Sequence, residues 1–254
     1  MKLAIIQPEL LWEDKRGNFA ILKRMMLSLP KGTDVVILPE MFTTGFTMNL
    51  AYAERMQGET LDFMKEAAVI NDFAICGSYI VEDEGKYFNR FAFVSSETEY
   101  YYDKRHLFSM GEEDKFFTPG KSKLVFSFRN VRISPYVCYD LRFPVWSRNR
   151  NEYDLAIYVS SWPGVRISAW NALLRARAIE NQCYVAGSNR VGTDGNGVFH
   201  NGMSQIINPW GEVVSVAEAE KQCVISSDIS IQELADFRNK FNVMRDADEY
   251  EIIS

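Results

Sequence analysis

Apolar runs recur along this chain in two settings, one interleaved with helical spacing and one with tight polar turns. Residues 2–6 are largely apolar and are cut by Gln7-Pro8, which predicts a first buried strand. Leu22, Met25, Met26 and Leu29 fall at helical spacing, so a helix is predicted over 15–29, stopped by Pro30-Lys31-Gly32. The run Val35-Val36-Ile37-Leu38 is short and continuous, as in a strand covered on both faces. A helix over Glu59–Asn71 and a strand over 73–81 follow, an alternation typical of the crossover units of an α/β fold.

The pattern then changes. Residues 88–94, 100–102 and 124–128 read as short strands joined by polar turns, as in hairpins. Strands are predicted over 131–138 and Leu155–Val159, a helix over 169–181 and a strand over 183–188. Gly192 to Gly197 reads as a flexible turn and does not fit a nucleotide-binding glycine pattern. Strands over 204–207, Val213–Val216 and 224–227 and a helix over 231–238 lead to the acidic stretch Asp246-Ala247-Asp248-Glu249. No linker-like stretch or internal repeat divides the chain, so one domain over 1–254 is expected. Flanking helices with many hairpins fit two packed sheets, and fit a single mixed sheet as well.

Composition narrows the function. Hydrophobic residues make up 47%, enough for a sizeable core, and the net charge is −6. No basic cluster offsets that charge, which argues against nucleic-acid binding; an anionic substrate would need a local Lys or Arg. No apolar run approaches a membrane span, and the apolar start is too short for a signal-peptide core. Cys76, Cys138, Cys183 and Cys223 are scattered without a CxxC pair, as reduced thiols would be. A soluble cytoplasmic protein without metal or cofactor is expected.

Cys138 is the most informative residue. It ends an apolar strand and precedes the turn Tyr139-Asp140-Leu141-Arg142-Phe143-Pro144, where a thiol is well placed to attack and the following N–H groups converge on an oxyanion. Histidine, the usual partner, occurs only as His106 and His200. Glu40 follows a buried strand, and strand ends of α/β sheets line sites, although a surface carboxylate is an equal reading. Lys104 lies in Asp103-Lys104-Arg105-His106 and alone reads as a solvated loop lysine. Together the three suffice for acyl transfer. The carboxylate moves protons, and the ammonium favours the thiolate and steadies the oxyanion.

Leu38-Pro39-Glu40, Asp103-Lys104-Arg105-His106-Leu107 and Val137-Cys138-Tyr139-Asp140 resemble, in order, the catalytic motifs of the nitrilase superfamily of carbon–nitrogen hydrolases. Longer strings resemble its bacterial omega-amidase branch: Leu38-Pro39-Glu40-Met41-Phe42-Thr43-Thr44-Gly45-Phe46, Cys138 to Asn149, and Ala176 to Gln182. The resemblance implies a four-layer α-β-β-α sandwich with two mixed sheets between outer helices. It makes Glu40 the general base and acid, Lys104 an oxyanion donor, Cys138 the nucleophile, the Tyr139 backbone N–H the second oxyanion donor and Glu113 a supporting carboxylate. It assigns Arg142 to a substrate carboxylate, against the competing reading of a structural ion pair beneath the turn. Phe42, Phe46 and Trp162 are candidate pocket walls, or else core aromatics. The implied partners are a small amide substrate and a second copy, in a dimer or tetramer. The implied reaction releases ammonia from 2-oxoglutaramate or 2-oxosuccinamate. Alternatives are an amidase acting on deaminated glutathione or an N-carbamoyl amino acid, and a non-catalytic binding or assembly module on the same scaffold.

Overall fold

The computed structural model describes residues 1–252. Its first half alternates strand and helix: β1 (Lys2–Gln7), α1 (Lys15–Met26), β2 (Val35–Ile37), α2 (Glu59–Asn71) and β3 (Ala74–Asp83). A hairpin follows, β4 (Lys86–Val94) with β5 (Glu99–Asp103). The second half contains β6 (Phe126–Phe128), β7 (Val131–Val137), β8 (Leu155–Val159), α3 (Ile167–Asn181) and β9 (Tyr184–Ser188). It closes with β10 (Val191–Thr193), β11 (Phe199–Asn201), β12 (Gln205–Ile207), β13 (Val213–Val216), β14 (Cys223–Asp228) and α4 (Ile231–Lys240).

Two six-stranded sheets result, ordered β14-β1-β2-β3-β4-β5 and β13-β12-β9-β8-β7-β6. In each, three parallel strands form the centre (β1, β2, β3 and β7, β8, β9) and antiparallel strands frame them. The β1 pattern shows why its apolar run is continuous. Leu3 and Ile5 face the second sheet, while Ile6 packs under Leu22 of α1 and Leu61 and Met64 of α2. Phe91 and Phe93 interleave with Phe126, Ile133 and Tyr136 between the sheets. Trp170, Leu174 and Ala178 of α3 pack on the second sheet, giving the α-β-β-α layering rather than the single mixed sheet that the pattern also allowed. Asp14 caps α1 by accepting the Gly17 N–H at 2.9 Å.

Several boundaries differ from those expected. The helix predicted over 15–29 ends at Met26, and Leu27 to Leu29 continue as a tighter turn with i→i+3 bonds to Arg24, Met25 and Met26. Of the turn predicted at 192–197, Gly192 and Thr193 belong to β10, paired with His200 and Phe199, and only the residues from 194 onward form the tip of the β10–β11 hairpin. No α-helix follows Cys138: the chain makes one 3₁₀ turn, Cys138–Arg142, and reaches β8 through irregular backbone. None of the described helices is long and apolar enough to cross a membrane.

Candidate active site

The carboxyl ends of the parallel strands of both sheets meet, which is where α/β folds place ligand sites. Glu40 follows β2, Cys138 follows β7 directly, and Ser161 follows β8. Cys138 has φ of 45° and Met41 a φ of 43°, both in the left-handed region. Such a conformation costs a non-glycine residue about 1–3 kcal/mol and persists where the surroundings over-determine it. At Cys138 that support is Asp140, whose Oδ2 accepts the Val137 N–H at 3.0 Å and the Tyr102 hydroxyl at 2.8 Å. Its Oδ1 accepts the His106 backbone N–H at 2.9 Å and His106 Nδ1–H at 2.7 Å. His106 also stacks on Phe143 with ring centroids 3.8 Å apart, so it braces the cysteine turn.

Lys104 leaves the end of β5 and is fixed by its backbone. Its N–H donates to the Asn89 carbonyl at 3.0 Å, and its carbonyl accepts the Gly120 N–H at 2.9 Å. Glycine is required at 120, because a Cβ there would collide with the Asp103 carbonyl. The Lys104 side chain is fully buried, and its Nζ lies 2.8 Å from Glu40 Oε1 and 2.8 Å from Glu113 Oε2. Asn89 Nδ2 bridges the carboxylates, at 2.8 Å from Glu40 and 3.0 Å from Glu113. The Ser161 N–H donates to Glu40 Oε2 at 2.9 Å, and the Phe108 N–H to Glu113 Oε2 at 2.6 Å. The neighbouring Glu112 is exposed and pairs with Lys115, so Glu113 alone enters the cluster.

The electrostatics follow from this packing. Burial on its own would discharge Lys104, but the Glu113 and Glu40 charges outweigh it and hold the amine above its ordinary range, as an ammonium. Burial pushes the Glu113 carboxyl up; the Lys104 charge opposes it and the Glu40 charge reinforces it. Burial also pushes the Cys138 thiol well above its ordinary range; Glu40 acts in the same direction and Lys104 against it. Both burial and the neighbouring Glu40 thus favour the thiol form of the resting sulfur. His200 is no substitute base: burial, with the Arg190 charge, pushes its imidazole down to about 4.

Glu40, Lys104 and Cys138 open into a cavity of about 640 Å³. Phe46 lines it with the Lys104 Nζ 5.2 Å from its ring centroid, and Trp162 and the Tyr139 ring are further walls. Phe42 is a correction: it is fully buried in the core under α2, its ring 6.4 Å from that of Phe63, and it does not reach the cavity. It lies beneath Gly77, where any Cβ would meet its ring at 2.7 Å. Arg142 lines the cavity with its guanidinium 5.0 Å from the Trp162 ring centroid, and it makes no ion pair among the described residues. Asn89, Ser161 and Arg166 carry no motif. An amide within a buried strand was the only trace of Asn89, and the position of Ser161 after β8 the only trace of that residue. Among the described residues no group of His, Cys, Asp and Glu is arranged to hold a metal ion.

The chain is similar to known proteins along nearly its whole length. The family model described as carbon–nitrogen hydrolase matches residues 2–239. The omega-amidase YafV of Escherichia coli strain K12 is 44% identical over 253 residues, covering 99% of this chain and 98% of that protein. The 2-oxoglutaramate amidase of Bacillus subtilis is 33% identical, covering 91% and 90%. XC1258 of Xanthomonas campestris, a CN-hydrolase superfamily protein whose crystal structure carries an arsenic adduct in its active site, superposes with a TM-score of 0.95. It is 38% identical and covers 99% of this chain and 98% of that one.

Proposed function

This chain belongs to the carbon–nitrogen hydrolase family and is a hydrolase acting on amides; from that premise we propose that it releases ammonia from small 2-oxo dicarboxylate monoamides through a thioester on Cys138. The observation that carries the mechanism is the buried Lys104, 2.8 Å from both carboxylates at the base of the cavity that Cys138 lines. The thiol proton passes to Glu40 as sulfur attacks the amide carbon, and the carbonyl electrons move onto oxygen. Lys104 and the Tyr139 N–H hold that oxyanion. On collapse the C–N bond breaks and Glu40 returns the proton to the departing nitrogen, freeing ammonia. Water then gives a proton to Glu40 and attacks the thioester. The C–S bond breaks, and the sulfur recovers its proton as the acid leaves. Glu113 keeps Lys104 charged and aimed.

One oxyanion donor is worth about 10²–10³ in kcat. Lys104→Ala is therefore expected to lower ammonia release at least a hundredfold, measured on protein whose near-ultraviolet circular dichroism matches wild type. Turnover within a factor of ten of wild type would remove Lys104 from the chemistry.

The substrate reading rests on the two named relatives and on Arg142, an unpaired cation in the cavity of an acidic protein. A guanidinium binds carboxylate through two parallel hydrogen bonds. Arg142→Ala is expected to raise KM for 2-oxoglutaramate at least about tenfold, the worth of hydrogen bonds to a charged group, and to affect pentanamide much less. Ammonia release from a panel containing 2-oxoglutaramate, 2-oxosuccinamate, deaminated glutathione and an N-carbamoyl amino acid tests the class itself. Preference for either of the last two would replace the reading.

A further inference from the structure

We infer that Arg166 is a second anion-binding side chain of the catalytic cavity and, with Arg142, selects amides whose far end is a 2-oxo acid over those ending in a 2-amino acid. The inference rests on the function proposed above. Arg166 closes the short turn Gly164–Arg166 that leads into α3. Its carbonyl accepts the Trp162 indole N–H at 2.9 Å, and its own N–H donates to the Pro163 carbonyl at 3.0 Å. The turn is wedged against β11, since a Cβ at Gly164 would meet the Phe199 ring at 3.1 Å. The backbone at 166 is thus held while its guanidinium reaches over the Phe108 ring, 5.4 Å from the centroid. Arg166 and Arg142 both line the cavity, on a wall that includes Trp162 between them in its contacts.

Arg142 and Arg166 are half-buried residues, and neither guanidinium donates a hydrogen bond or reaches a carboxylate among the described residues. Other buried and half-buried arginines each have a polar partner, although Arg177 Nε and Arg190 Nη1 are left without one. Arg90 meets Asp103 at 2.6 Å, Arg177 meets Glu180 at 2.7 Å and Arg238 meets Asp154 at 2.8 Å. Arg190 donates to the carbonyls of Val191 and Leu10. Asp194 also lines the cavity, but its Oδ1 is turned to the N–H groups of Asn196 and Val198, each at 2.9 Å. Two uncompensated cations in one cavity repel each other until an anion arrives, and stacking on aromatic rings holds each in place meanwhile.

The chemistry of that anion follows. A guanidinium only donates. A 2-oxo carboxylate offers three acceptor oxygens and no donor, so two guanidinium forks match it. A 2-amino acid places an ammonium against them, with donors facing donors and like charges together.

The test compares wild type with Arg166→Met, which keeps the apolar stem, and Arg166→Lys, which keeps the charge. The ratio of kcat/KM for 2-oxoglutaramate to that for pentanamide is expected to fall at least about tenfold in Arg166→Met, mostly through KM, with part restored in Arg166→Lys. The preference for 2-oxoglutaramate over glutamine is expected to narrow with it. A ratio that holds, or equal losses on both amides, overturns the assignment. If wild type leaves 2-oxoglutaramate untouched, the proposed function fails separately. The anion site is then read as protection of Cys138 from iodoacetamide by glutarate. Protection of wild type that Arg166→Met loses supports the site; protection equal in both proteins, or absent from both, overturns it.

Discussion

Cys138→Ala is expected to abolish amide hydrolysis while leaving the fold intact. Loss of a nucleophile acting within a catalytic triad costs on the order of 10⁶ in kcat. No other thiol can take over: Cys76 and Cys183 are fully buried, and Cys223 lies on β14 at the edge of the first sheet. The substitution removes one sulfur from a residue that partly faces the cavity. The Lys104–Glu40–Glu113 cluster does not depend on that atom for its hydrogen bonds. Thermal unfolding is therefore expected to move by a few degrees at most. Intact-protein mass spectrometry completes the test. Wild type quenched during turnover carries an acyl adduct on Cys138, and Cys138→Ala carries none. Residual turnover above a percent of wild type, or an adduct mapped to another cysteine, would sink the covalent mechanism.

Glu40→Gln is expected to be the next most damaging change, lowering kcat by about 10³ or more. A positioned acid–base group contributes about 10²–10⁴, and the proposed mechanism uses Glu40 in both half-reactions. The side chain sits where each transfer needs it, tied to Lys104 through one oxygen and to the Ser161 N–H through the other. Glutamine keeps the shape and cannot take the thiol proton, so acylation stalls with the sulfur protonated. Burial and the Glu40 charge both hold the thiol high, and removing that charge lowers it only in part. The check is single-turnover ammonia release, with alkylation of Cys138 by iodoacetamide measured across pH. An alkylation midpoint that does not fall in Glu40→Gln would remove the Glu40 charge from control of the thiol, and a kcat within tenfold of wild type would mean that another group is the base.

Much of this was legible in the residue order. Parallel strands β2 and β8 read as unbroken apolar runs, because helices cover one face and the opposite sheet the other. Cys138, Glu40 and Lys104 were visible because each sits in a motif at a strand end. The layering rests on contacts such as Phe93 with Phe126, tilted rings whose centroids lie 4.7 Å apart across the two sheets, a contact between distant segments that periodicity does not encode. Asn89 and Ser161 escaped for the same reason: their roles depend on partners 49 and 121 positions away. Phe42 was ambiguous because an aromatic beside a catalytic motif serves as wall or core equally well. Only the approach of Gly77 decides it.

The pairing of β14 with β1, Lys2 against Asp228 through Gln7 against Cys223, has a consequence for biosynthesis. Of the described strands, β1 is made before all the others, and one of its two neighbours, β14, is the last. Until then its hydrogen-bonding edge is open to any other extended chain, and such edges nucleate aggregation. A protein shortened before residue 223 would keep every group of the hydrolytic cluster and yet be a poor survivor in the cell, because chaperones and proteases act on unclosed sheets well before chemistry matters.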